Sequence, residues 1–164
     1  MEYLKIDKIG ITELILRGGV FSDVEAKTPQ EVYKKITDLM KLPEGVEAAQ
    51  VCKALCDREA VLSTAVGNGY ALPHARASLM KNENEQRICV VYLKTPLEMK
   101  APDDKPVDTM FILLTQNSQV HLKILASLAA LFRESEFKKA IDDKVDVYTL
   151  CSVIHEIENK EEDK

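Results

Sequence analysis

The sequence predicts an α/β fold, a single domain whose sheet carries helices on both faces. Three observations point there. Residues 87–94 and 107–115 are short, nearly continuous apolar runs rich in β-formers, the pattern of strands covered on both sides. Other stretches repeat apolar residues at three- and four-residue spacing, as amphipathic helices do. With 164 residues, the chain is long enough for one well-buried domain and too short for two ordinary ones.

Residues 1–19 read as an N-terminal extension, 20–158 as the core and 159–164 as a charged, solvated tail. The first clear helix signal is Thr28-Pro29-Gln30-Glu31, with Thr28 as N-cap, Pro29 in the first helical position and Glu31 closing a capping box. Val32, Ile36, Leu39 and Met40 then form one stripe, until Pro43-Glu44-Gly45 breaks the segment. A second helix is expected over 46–57, its end delivering Arg58 into a loop. Gly67-Asn68-Gly69 supplies residues that tolerate positive φ, and Tyr70-Ala71-Leu72 reads as a short extended run. Pro73 fixes its own φ and pushes Leu72 out of the helical region, so His74 is held at a strand end.

After the two apolar runs that form the sheet's centre, Ser118 reads as an N-cap. Val120, Ile124, Leu125, Leu128, Leu131 and Phe132 line one face of a helix ending near Glu134. A short helix over 136–141 and a last one from Val147, with Leu150, Ile154 and Ile157 in register, complete the chain.

Composition excludes several classes of function. A net charge of −5 and a pI near 5.3 disfavour nucleic acid or an anionic membrane as a partner, since both call for clustered Lys and Arg. The N-terminus, Met1-Glu2-Tyr3-Leu4, lacks the basic-then-apolar order of a signal peptide, and no apolar run reaches membrane-spanning length, so a cytoplasmic location without membrane insertion is expected. Cys52, Cys56, Cys89 and Cys151 show no disulfide framework. Cys52 and Cys56 lie four apart on a helix and invite a zinc reading, but structural zinc wants four ligands in recognisable pairs, and they are read as small apolar residues with no metal. Gly67-Asn68-Gly69 lacks the third glycine of the dinucleotide fingerprint and the Gly-Lys-Ser/Thr of a P-loop. There is neither a Gly-x-Ser-x-Gly elbow nor a metalloprotease histidine pair, and His155 receives no role.

What remains is His74. An imidazole on a rigid strand end, with arginine nearby in sequence, suits a nucleophile that accepts a negatively charged group, and phosphoryl is the evident candidate. Thr64, more weakly Ser63, and the amides around Gly67 and Asn68 are candidates to hold phosphate oxygens, although hydroxyls in a Gly-rich turn more often bond their own backbone. Arg58 can grip two phosphoryl oxygens at once, and on its own it would read as a surface arginine at a helix C-terminus. If Ser118 is the cap, His121 sits in the first helical turn, where unpaired N–H groups favour a neutral ring; alone it would read as a polar first-turn residue.

The run from Glu59 through Val66-Gly67 to Tyr70-Ala71-Leu72-Pro73-His74-Ala75 resembles the type-2 enzyme IIA domains of the bacterial phosphoenolpyruvate-dependent phosphotransferase system, in their fructose, mannitol and nitrogen-regulatory branches. Tyr70 departs from the usual aliphatic residue. Ala101-Pro102-Asp103-Asp104-Lys105-Pro106-Val107, followed by Met110-Phe111-Ile112-Leu113-Leu114, is similar to the family's turn and central strand. The resemblance implies a mixed sheet, phosphorylation of His74 through Nε2 by the phosphocarrier protein HPr, and support from His121 and from Arg58 rather than Arg76. It implies no cofactor. The onward partner is either the IIB component of a sugar permease or a regulated target protein. The absence of a fused permease segment inclines the expectation toward the regulatory branch, and Arg76 slightly toward the fructose-like one.

Overall fold

The computed structural model describes residues 10–75 and 79–162. Six α-helices and five strands follow one another as α1 (Ile11–Gly18), β1 (Val20–Val24), α2 (Pro29–Leu39), α3 (Ala48–Val61), β2 (Ala65–Gly67), β3 (Tyr70–Ala71), β4 (Arg87–Leu97), β5 (Val107–Leu114), α4 (Ser118–Phe132), α5 (Ser135–Asp142) and α6 (Val147–Glu162) among these residues. A 3-10 turn at Glu83–Glu85 precedes β4. The sheet order is β1-β4-β5-β3-β2, with β1–β4 and β3–β5 parallel and β4–β5 and β2–β3 antiparallel. It is the mixed α/β sheet expected.

Strand alternation divides the apolar side chains between two cores. Cys89, Val91 and Leu93 of β4 and Met110, Ile112 and Leu114 of β5 face Val32, Tyr33 and Ile36 of α2 and Val51 and Leu55 of α3. Their neighbours Ile88, Val90, Tyr92, Phe111 and Leu113 face the opposite layer, built from α1, α4, α5 and α6. Because both faces are covered, β4 and β5 read in sequence as unbroken apolar runs rather than alternating ones.

Several boundaries differ from the sequence expectation. The Thr28 cap is as expected, its hydroxyl accepting from Glu31 N–H, while Glu31 Oε2 accepts from Lys27 N–H. Helix α3 runs on to Val61, so Arg58 stays in its last turn instead of entering a loop. The cap of α4 is Asn117, not Ser118: its side-chain oxygen accepts from Val120 N–H at 2.9 Å, and Ser118 becomes the first helical residue. An amide oxygen one residue upstream has the better reach. Residues 11–18, placed in the extension by sequence, form a helix that belongs to the core, with Ile15 fully buried. Helix α6 carries on through 159–162 of the expected tail. Residues 1–9, 163 and 164, together with Arg76, lie outside the described residues.

Helix α1 meets β4 through Gly18, where a Cβ would sit 1.9 Å from the Ile88 carbonyl oxygen. Backbone cannot yield as a flexible side chain would. Gly18→Ala is therefore expected to destabilise the protein by about 2 kcal/mol or more, as overpacking does, read as a fall in the urea midpoint; an unchanged midpoint would show that α1 is free to shift.

Candidate functional site

The site lies where β3 and β5 end and α4 begins. Residues 70–74 ride along β5 in parallel: Tyr70 pairs with Thr109, Ala71 with Met110, and His74 bridges to Leu113. Leu113 N–H donates to the Pro73 carbonyl at 2.8 Å. On the other edge, Leu72 N–H donates to the Thr64 carbonyl at 3.0 Å. Pro73 comes after that last outer bond, so its missing N–H leaves no ladder acceptor unpaired. Tyr70, the unusual strand residue, is buried and stacks on Phe132 at 4.9 Å between ring centroids. Burial pushes its phenol up to about 12.

His74 Nδ1 lies 2.8 Å from the Leu72 carbonyl oxygen. A carbonyl only accepts, so Nδ1 carries the proton and Nε2 presents its lone pair. Burial lowers the His74 pKa; the Leu72 bond and Glu59 act against this, and the positive charge of Arg58 adds to it. The ring is therefore neutral at ordinary pH, with Nε2 its unprotonated nitrogen.

His121 arrives on the first turn of α4, its ring centroid 4.3 Å from that of His74 and tilted by 42°. Its pKa is lowered to about 4, by burial first and then by His74 and Arg58. Nε2 of His121 is buried and has no hydrogen-bond partner among the described residues. Arg58, in the last turn of α3, donates from Nη1 to the Leu62 carbonyl at 2.5 Å, closing its own helix end. Besides closing its helix end, the same cation is close enough to depress both histidines.

The other candidates fare differently. Thr64 is beside the site through its carbonyl, but its hydroxyl donates to Glu59 Oε1 at 2.6 Å and is committed there. Ser63 donates to the Met99 carbonyl. Gly67 and Asn68 are a correction. They form the β2–β3 turn beside Asp108 and Thr109, whose amides donate to Gly69 O, whereas His74 pairs four residues further along β5, about 13 Å away. The Asn68 amide is taken by Asp103 at 2.8 Å. Neither residue reaches a group on His74. Among the described residues no cluster of three or more His, Cys, Asp or Glu could hold a metal ion, and Cys52 and Cys56 are free and partly buried.

A family model described as "Phosphoenolpyruvate-dependent sugar phosphotransferase system, EIIA 2" matches residues 13–157. The chain belongs to this family. It is 26% identical over 155 residues to a nitrogen regulatory protein of Pseudomonas aeruginosa, covering 92% of this chain and 98% of that one. It is 25% identical over 134 residues to the fructose-specific EIIABC component of Bacillus subtilis, covering 80% of this chain and 21% of that larger protein. Among solved structures, the nitrogen regulatory protein IIA-Ntr of Neisseria meningitidis superposes with a TM-score of 0.75 at 25% identity, over 88% of this chain and 98% of that one. The matched range includes residues 13–19, which the motif resemblance had left outside.

Two residues of this EIIA domain's site region carried no role in the sequence reading, Glu59 and Tyr33. Both oxygens of Glu59 accept hydrogen bonds, Oε1 from Tyr33 at 2.5 Å and Oε2 from Thr64 N–H at 2.8 Å, besides the Thr64 hydroxyl. The spacing Glu59 to Thr64 is a local signal, but Tyr33 is 26 residues away and only the packing of α2 on α3 brings it in.

The lowered His121 pKa has a consequence for stability. The unfolded chain takes up a proton on this histidine near pH 6.5, its ordinary value, while the folded one resists down to about 4. The stability contributed by the neutral ring is complete above 6.5 and is lost as pH falls toward 4. Urea unfolding between pH 7 and 4 should show a smaller loss for His121→Gln than for the wild type; parallel curves would place His121 in water.

Proposed function

We propose that this EIIA domain is a phosphocarrier: His74 Nε2 accepts a phosphoryl group from the phosphohistidine of HPr and holds it for a downstream protein. The lone pair of Nε2 attacks phosphorus, the P–N bond to the donor imidazole breaks and its electron pair stays with that imidazole. No redox change occurs and the reading calls for no cofactor. The observation that carries it is the buried, unpartnered Nε2 of His121 beside a histidine whose tautomer leaves Nε2 free. A phosphoryl oxygen would accept from His121 and from Arg58, with charge balanced in a partly desolvated site. Transfer between two imidazoles then needs alignment and charge stabilisation above all.

The surroundings favour a protein as donor and acceptor. Val61, Leu62 and Leu122 are 60%, 69% and 65% exposed, the first two just past Arg58 and the third next to His121. Apolar side chains held in water around a reactive group suit a protein face. The reading keeps the cytoplasmic location expected from sequence.

Incubation with phosphoenolpyruvate, enzyme I and HPr should add one acid-labile phosphoryl group, on His74. Intact mass and peptide mapping decide it; label surviving in His74→Ala, or mapped elsewhere, would overturn the assignment. Arg58→Ala and His121→Ala should remain folded and slow transfer by roughly two to three decades, as loss of a charge-stabilising donor does. Wild-type rates in both would remove them from the site.

We infer a regulatory rather than a sugar-transport role, supported by the likeness to nitrogen regulatory proteins along nearly the whole of both chains. The fructose-specific relative supports the second reading, transfer to a IIB component. Loading His74 with labelled phosphoryl and adding membranes with candidate sugars separates them. Retained label, with a partner captured by only one of the phosphorylated and unphosphorylated forms, is the expected result; rapid, sugar-dependent loss would establish transport instead.

A further inference from the structure

Behind His74 stands a continuous hydrogen-bond path that the phosphocarrier reading does not use. Tyr33 on α2 is fully buried and donates to Glu59 on α3. Burial, and after it the Glu59 carboxylate, hold the Tyr33 phenol well above its usual range, so it remains a donor. Glu59 accepts from both the amide and the hydroxyl of Thr64, which is 5% exposed. The Thr64 carbonyl accepts from Leu72 N–H, and the Leu72 carbonyl accepts from His74 Nδ1–H. Each residue between the phenol and the imidazole uses one group toward Tyr33 and another toward His74.

We propose that Glu59 is a positioning residue for His74, fastening the Thr64–Leu72 pair to the end of α3, with Tyr33 holding the carboxylate in place. The inference rests on the phosphocarrier reading for its consequence in transfer, but its geometry stands without it. Three donors from two residues converge on this one carboxylate, which fills most of its acceptor sites and fixes it between Tyr33 on α2 and Thr64. Around Thr64 the segment is also held by Ser63, which donates to the Met99 carbonyl and accepts from Ala65 N–H, and by the Ala65–Ala71 pair, but the Leu72–Thr64 bond is the last outer contact before Pro73. If Thr64 moves, the Leu72 carbonyl loses its setting and His74 its single tautomer. The carboxylate also acts on the imidazole through space, favouring its protonated form against the burial that disfavours it.

The test reads His74 in the unphosphorylated protein, by imidazole nitrogen NMR across pH, in wild type, Glu59→Gln and Tyr33→Phe. In the wild type a single Nδ1–H tautomer is expected. In Glu59→Gln the His74 midpoint should move down and the two nitrogen shifts should converge as tautomers mix; Tyr33→Phe, which keeps the charge and the shape, should show a smaller change in the same tautomer signal. Transfer from HPr should slow about tenfold or more in Glu59→Gln, the scale on which outer partners of a functional histidine act. Thr64→Ser, which keeps every donor and acceptor, should restore wild-type spectra and rates, whereas Thr64→Val should resemble Glu59→Gln. Folded Glu59→Gln and Tyr33→Phe proteins with wild-type His74 shifts and midpoint would overturn the proposal and leave Glu59 a loop clamp. Failure of wild-type His74 to take phosphate would count against the phosphocarrier reading alone, since the spectra still decide this one.

Discussion

The site depends on one constraint, the parallel attachment of residues 70–74 to β5. That strand is buried on both faces, so it is among the least mobile parts of the molecule, and the Leu113 amide extends its grip to the Pro73 carbonyl. A proline at this point would interrupt an interior ladder, yet here it follows the last outer hydrogen bond and stiffens the chain just where the histidine must be aimed. His74 inherits the rigidity of the sheet without being enclosed by it. Because α4 leaves directly from the same end of β5, its first turn delivers His121 to the same place, and reactive groups commonly gather at the carboxyl ends of parallel strands for this reason.

Electrostatics then decides what such a site can accept. Two half-buried imidazoles and a guanidinium share the space: Arg58 disfavours protonation of both rings, and His74 disfavours that of His121. Burial is the larger cause for both rings, so the site keeps one fixed positive charge and two neutral hydrogen-bonding rings. A bound dianion would reverse the balance: it would raise the His121 pKa from about 4, pair with Arg58 and satisfy the orphaned Nε2. An uncharged ligand would do none of this. The orphaned ring nitrogen and the lowered pKa would thus both be relieved by the same change, negative charge placed beside them.

The sequence displayed some of this clearly. Strand segments covered on both faces show as apolar runs, and a glycine turn followed by an extended run and Pro73 marks His74 because each residue constrains backbone φ locally. Reading failed where distance along the chain was taken for distance in space. Gly67 and Asn68 are seven and six residues before His74, but after their turn the chain runs extended from Tyr70 to His74, and an extended chain carries neighbours apart at about 3.3 Å per residue. Arg58 is sixteen residues away, yet its charge acts on His74, because α3 packs back over the sheet. Asn117 capped α4 in place of Ser118 since either residue type serves and only geometry chooses. Tyr33 could not be read at all; it looks like one more apolar residue of the α2 stripe until its hydroxyl finds Glu59.

The site also joins the two layers of the domain. Glu59 and Arg58 come from α3, packed on one face of the sheet, while His121 comes from α4 on the other, and His74 stands at the strand end between them. A charge placed on His74 pulls on both layers at once, through Arg58 and through His121. The exposed Val61 and Leu62 continue α3 and the exposed Leu122 sits on α4, so the apolar rim is carried by the same two helix ends. On the proposed phosphocarrier reading, a partner resting on that rim would sense a phosphoryl group twice, directly as charge and indirectly through the helix ends that carry Arg58 and His121. On that reading, a single group on His74 would thus alter the face that both layers present.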